Sequence, residues 1–151
     1  MPKNNQILDA QQADVKLTRL SYEIYEQNCD EKEIYLVGID KRGYAIASII
    51  QQKLEKISEG NGVFQVILIK IKVDKENPIH VEMDASFNPS NKTIILIDDV
   101  ANSGKTMLYA LKPILEVIPK KIQTAVLVDR KHKLFPIASD FIGMQLSTTL
   151  Q

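Results

Sequence analysis

The sequence contains one cysteine, Cys29, and no tryptophan. A single cysteine excludes an intramolecular disulfide framework and any cysteine-based metal cluster. Cys29 itself reads as a small buried or half-buried residue near a helix end. Neither charge is in excess: Lys+Arg and Asp+Glu number 19 each. Net charge therefore gives no reason to expect a nucleic-acid or membrane partner. No apolar run approaches bilayer length, and the opening MPKNNQILDAQQ has no apolar targeting core, so the expectation is a cytoplasmic protein with no membrane partner. Repeats, low-complexity tracts and linkers are also lacking. What is present is ordinary: 151 residues, 44% hydrophobic and 25% charged, enough for one domain over residues 1–151 with a core of its own. Charge is unevenly spread, since residues 105–133 hold seven Lys/Arg against Glu116 and Asp129, which suits a phosphate-bearing ligand.

Hydrophobic periodicity gives the order of elements. Val15, Leu17, Leu20, Ile24 and Tyr25 roughly follow helical spacing between Asp9, available as an N-cap, and Asn28. EIYLVGI (33–39) is a short apolar run and reads as a buried strand. A helix follows over 44–57, with Ala47, Ile50 and Leu54 on one face, and then a β-branched strand over 63–73. Residues 74–92 are polar, with Pro78, Pro89 and a weak strand near 80–83. A strand at 94–97, a helix from about 106 that Pro113 should shorten, and strands at 122–128 and 140–146 complete the chain. Strand–helix–strand alternation predicts an α/β fold, a mainly parallel sheet with helices on both faces. Ligands of such sheets bind beyond the carboxyl ends of the strands. Three polar loops fall there: DKRG, DDVANSGKT and DRKHK.

The stretch TIILIDDVANSGKT (93–106) carries the chemistry. Two adjacent carboxylates at the tip of an apolar strand need compensation, and the small turn after them offers free amides, hydroxyls and a cation, which suit a phosphate. A capped helix start is the plainer alternative. The Walker phosphate loop is excluded, because its first glycine would fall on Asp99.

Apolar strand, two acids, a small turn and G-x-T resemble the phosphoribosyl pyrophosphate (PRPP) motif of type I phosphoribosyltransferases. LVGIDKRG (36–43) is similar to that family's pyrophosphate loop. LVDRKHKLFPIASDFIG (127–143) and LDAQQADVKLTRLSYEIYEQN (8–28) resemble one branch, the pyrimidine-operon attenuator/uracil phosphoribosyltransferases. The resemblance implies the type I fold with a small hood from the chain ends, and a Mg²⁺-dependent enzyme that transfers ribose 5-phosphate from PRPP to uracil or a purine base, releasing pyrophosphate. It implies catalytic roles for Asp98 and Asp99, which would hold the ribose hydroxyls and the metal, directly or through PRPP and water. Lys41, Arg42 and Gly43 would hold pyrophosphate, with a cis-type peptide at 40–41 or 41–42. Ala101, Asn102, Ser103, Gly104, Lys105 and Thr106 would wrap the 5-phosphate, and Arg130, Phe141 and Ile142 would meet the base. A homodimer or larger assembly is the expected state.

Two departures shape the alternatives. Where the branch has a Tyr-Arg-Asp-Asp-like stretch opening its catalytic loop, LIKIKVDKENP has no arginine, and Lys70, Lys72 or Lys75 are the available cations. Tyr22 and Glu26 share a face of the first helix, and an acid there opposes RNA phosphate contact, which disfavours an RNA partner. An RNA-binding attenuation regulator and a catalytically silent PRPP-binding protein are the other readings. His132 is a poor general-base candidate, and His80 a poorer one. Phe64 and Phe87 read as packing residues.

Overall fold

A computed structural model describes residues 8–147. In chain order the elements are α1 (Ala10–Asn28), β1 (Glu33–Ile39), α2 (Asp40–Ile57), β2 (Gln65–Val73), β3 (Val81–Met83), β4 (Thr93–Ala101), α3 (Lys105–Ala110), β5 (Lys121–Arg130) and β6 (Phe141–Leu146). They form one six-stranded sheet in the order β3-β2-β1-β4-β5-β6. Only β3 runs antiparallel. No helix among the described residues is long and apolar enough to cross a membrane.

The central strands are apolar throughout because both their faces are covered. Ile95 and Ile97 of β4 join Leu17, Leu20, Ile24, Ile50 and Leu54 in a core under α1 and α2. Their neighbours Ile94 and Leu96 point the other way, into a core with Met107, Ala110 and Ile114 under α3. Asp9 caps α1, accepting from the Gln12 amide at 2.7 Å while Gln12 returns a bond to the Asp9 amide. Pro113 has no amide to donate, so α3 ends at Ala110 and the chain continues as a 3₁₀ turn over Ile114–Glu116.

Two boundaries and one exposure differ from the sequence reading. Helix α2 starts at Asp40, four residues early, so DKRG forms its first turn. Strand β4 runs through both acids to Ala101, held by pairing with β5 up to Asp129. Cys29 ends α1 as expected but is exposed. Phe64 packs edge-on against Tyr25, and Phe87 packs with its ring tilted against Tyr35, so both are packing residues. Arg19 donates to the carbonyls of Ile142 and Gly143 at 3.0 and 2.7 Å, tying α1 to β6. The chain ends expected to form the hood, residues 1–7 and 148–151, lie outside the described residues.

Candidate active site

Strand β1 connects to β2 on one side of the sheet, whereas β4 connects to β5 on the other. The carboxyl ends of β1 and β4, which are neighbours, therefore diverge, and a crevice opens at that switch point. The cleft there has a volume of about 1500 Å³. Lys41 and Arg42 line it from α2, Asp98 to Met107 from the end of β4 and the following turn, and Arg130 from β5. Lys70, Lys72, Lys75, His80 and Glu82 line it from the β2–β3 hairpin.

Two glycines let α2 begin directly on top of the sheet. A Cβ at Gly38 would lie 2.5 Å from the Tyr44 Cα, and one at Gly43 would lie 2.6 Å from the Ile97 carbonyl oxygen. Gly43 is thus a packing residue that does not line the cleft. Lys41 and Arg42, one helical step before it, are exposed there. The expected cis peptide is not present: among the described residues every peptide bond is trans. The unusual backbone lies instead at Asp40, with φ of 56°, a left-handed conformation that Asp tolerates better than most residues. Its carboxylate accepts from the Val73 amide at 3.1 Å, tying the start of α2 to the end of β2.

The two acids lie within the last residues of β4, not beyond the strand, and their carboxyl groups stay close enough to interact. Asp99 meets Arg42 at 3.6 Å, while Asp98 is buried at 8% exposure. Burial first, and the neighbouring Asp99 carboxyl second, together push the Asp98 carboxyl up to about 8, against smaller downward pulls from the Asp99 amide and Lys75. The cleft therefore holds a carboxyl whose ionised form the protein's own cations offset only weakly. Hard oxygen donors in that condition fit Mg²⁺. No group of three or more His, Cys, Asp or Glu able to hold a metal exists among the described residues, so such an ion would depend on phosphate oxygens and water for its other ligands.

Beyond β4 the chain turns sharply at Gly104, where φ is 88° and a Cβ would lie 2.8 Å from Ile137 Cγ2. Ser103 Oγ accepts from the Lys105 amide at 3.2 Å, and Asn102 Oδ1 accepts from Arg130 Nε at 2.7 Å. Ala101 is buried, whereas Asn102 and Lys105 are exposed. All six turn residues line the cleft.

On the base side the structure places the three expected residues apart. Phe141 is 1% exposed, and its ring lies in the core under α1 with Leu17 and Leu20. Ile142 packs into the opposite core. Neither lines the cleft, because alternation along β6 commits both side chains to covered faces. Arg130 alone of that group reaches it. His132 does not line the cleft, but His80 does, from the hairpin formed where the sequence shows a polar segment with a weak strand. Asp40 and Glu82 were missed. Their signal, polar residues at the ends of paired strands, was available only once β3 was placed beside β2.

Comparison with known proteins gives the geometry a family. The phosphoribosyl transferase domain model matches residues 3–149. The Bifunctional protein PyrR of Clostridioides difficile is 37% identical over 159 residues, covering 99% of this chain and 88% of that protein. The protein of the same name from Leuconostoc mesenteroides is 38% identical over 152 residues, covering 96% and 86%. The fold matches a hypoxanthine-guanine phosphoribosyltransferase from Bacillus anthracis with a TM-score of 0.77 at 17% identity, covering 93% of this chain and 80% of that one. It also matches the hypoxanthine phosphoribosyltransferase of Trypanosoma cruzi with a TM-score of 0.78 at 13% identity, covering 93% and 80%. A cleft at the switch point, two acids closing β4 and a glycine turn after them therefore have an account in descent: the chain belongs to the phosphoribosyl transferase family.

Proposed function

We propose that the chain transfers ribose 5-phosphate from PRPP to a nucleobase, uracil or a purine, and releases pyrophosphate. The observation that carries this reading is the convergence of Lys41, Arg42, Asp98, Asp99 and the 101–106 turn on one cleft. A nitrogen of the base attacks C1 of the ribose, the bond from C1 to the diphosphate oxygen breaks, and positive charge develops on the ring, by analogy with glycoside transfer. Asp98 and Asp99 accept hydrogen bonds from the two ribose hydroxyls and set negative charge beside that developing cation. Amides and hydroxyls of residues 101–106 hold the 5-phosphate. Arg42 and Lys41 bind the departing diphosphate, and Lys70, Lys72 and Lys75 add positive charge from the facing hairpin. Arg130 approaches from the base side. Mg²⁺, bound with PRPP beside Asp98 and Asp99, would offset charge on the leaving group.

Exposed apolar residues on α1, Val15 and Tyr22, and on the α3 side, Leu115 and Ile118, support the expected homodimer or larger assembly. The cytoplasm is the proposed location. The resemblance of residues 8–28 and 127–143 to the pyrimidine-operon attenuator branch keeps an RNA-binding role as the second reading, distinguished by salt-dependent RNA binding. Pyrophosphate release measured with PRPP, Mg²⁺ and each common nucleobase in turn tests the proposal. Release with one base and not without it supports transfer; PRPP binding without release favours a silent binder.

A further inference from the structure

The final pair in the β4–β5 ladder is Ala101 with Asp129, so the turn after β4 and the segment after β5 leave the sheet side by side. They stay joined at the next two residues. Asn102 is bonded to Arg130, and the Ser103 carbonyl accepts from the amides of Leu134 and Phe135 at 3.0 and 3.1 Å. Residues 131–139 are thus folded back over the turn. What holds them there is buried. Asp129 is 3% exposed and lies outside the cleft. Its carboxylate accepts from Lys133 Nζ at 2.7 Å, Ser139 Oγ at 3.2 Å and Gln145 Nε2 at 3.5 Å. Lys133 Nζ also donates to the Arg130 carbonyl at 3.0 Å. The Lys133 stem runs past Gly104, with Cδ 3.4 Å from the place a Cβ would occupy.

A buried charge pair is costly to desolvate, so it is weak evidence for stability by itself. Its location suggests what it does. In a trans peptide the carbonyl and the following N–H point in opposite directions. Fixing the Ser103 carbonyl on the 134–135 segment therefore turns the Gly104 N–H away from that segment. We propose that Asp129 and Lys133 are positioning residues: an ion pair of a buried carboxylate and a half-buried ammonium that pins residues 131–139 onto Ser103 and Gly104, setting the amides of the turn before a phosphate arrives. This rests on the assignment of residues 101–106 to the 5-phosphate of PRPP. Setting the turn in advance lowers the ordering cost of binding.

The test compares the wild type with Lys133→Met, which keeps the stem and deletes the charge, and with the Asp129→Asn/Lys133→Met double variant, which leaves no unpaired buried charge. Amide hydrogen exchange on the free full-length protein is the first readout, and PRPP kinetics the second. In the double variant the amides of residues 103–108 should exchange at least about tenfold faster while those of α1 keep wild-type rates, and KM for PRPP should rise about tenfold with kcat within about twofold. Wild-type protection of residues 103–108, or a rise spread evenly over the whole chain, would overturn the proposal. A wild type that does not bind PRPP would remove the phosphate assignment, while the exchange comparison would still decide whether the pair pins the turn.

Discussion

A Cβ on Gly43 would stand 2.6 Å from the carbonyl oxygen of Ile97, so the first turn of α2 rests directly on the strand that carries Asp98. No side chain separates the two walls of the cleft at that point. The distance from Arg42 to Asp99, 3.6 Å, follows from this contact.

Gly43→Ala should therefore push α2 off the sheet. Overpacking of this kind costs about 1–3 kcal/mol, which lowers Tm by several degrees in a chain of this size. Activity should fall with it, because Lys41 and Arg42 move with the helix. Thermal melts beside PRPP kinetics check this, and an unchanged Tm would show that the contact relaxes without cost.

Arg42→Ala separates binding from folding. The Arg42 side chain is 84% exposed, and exposed ion pairs contribute at most about 1 kcal/mol. Tm should stay within a degree or two of wild type. KM for PRPP should rise by about tenfold or more if the guanidinium holds the diphosphate. Wild-type PRPP kinetics would remove Arg42 from the site.

Stability of the ligand-free protein should depend on pH through Asp98. Its carboxyl is raised from 3.8 to about 8 in the fold, so between those values the folded state keeps a proton that the unfolded chain releases. The contribution is complete below the unfolded value and is lost as pH rises through about 8. Denaturant melts in a chelator should show wild-type stability falling across that window. Asp98→Asn should flatten the fall and leave the variant more stable at alkaline pH, by on the order of a few kcal/mol. A wild type as stable at pH 9 as at pH 5 would refute the raised carboxyl.

Much of this architecture is legible in the sequence because it rests on burial. Both cores of β4 can be read from an unbroken apolar run, and the helical faces of α1 and α2 from their spacing. The three loops that build the cleft are visible because polar residues follow buried strands. Other features depend on contacts that no local pattern encodes. β4 extends through Asp98 and Asp99, residues of low strand preference, because β5 pairs with Asp98 and, beyond Asp99, with Val100 and Ala101. α2 begins at Asp40 through a left-handed residue held by the Val73 amide. Phe141 reads as a ligand contact by resemblance, yet it fills the core, where a large apolar ring gains most from burial. DRKHK reads as a loop and is one, but that Asp129 and Lys133 pair within it is visible only in three dimensions.

The two acids carry the central claim, that the end of β4 is built to stabilise positive charge on a ribose ring. The most direct measurement is kcat/KM for PRPP in Asp98→Asn and Asp99→Asn, each corrected for its folded fraction. Both substitutions keep the shape and delete the charge. Each variant should lose at least an order of magnitude, about 1.4 kcal/mol in barrier, with PRPP affinity less affected and the fold as stable as wild type or more so. Full activity per folded molecule together with Tm values several degrees lower would contradict the claim and leave Asp98 and Asp99 as structural residues.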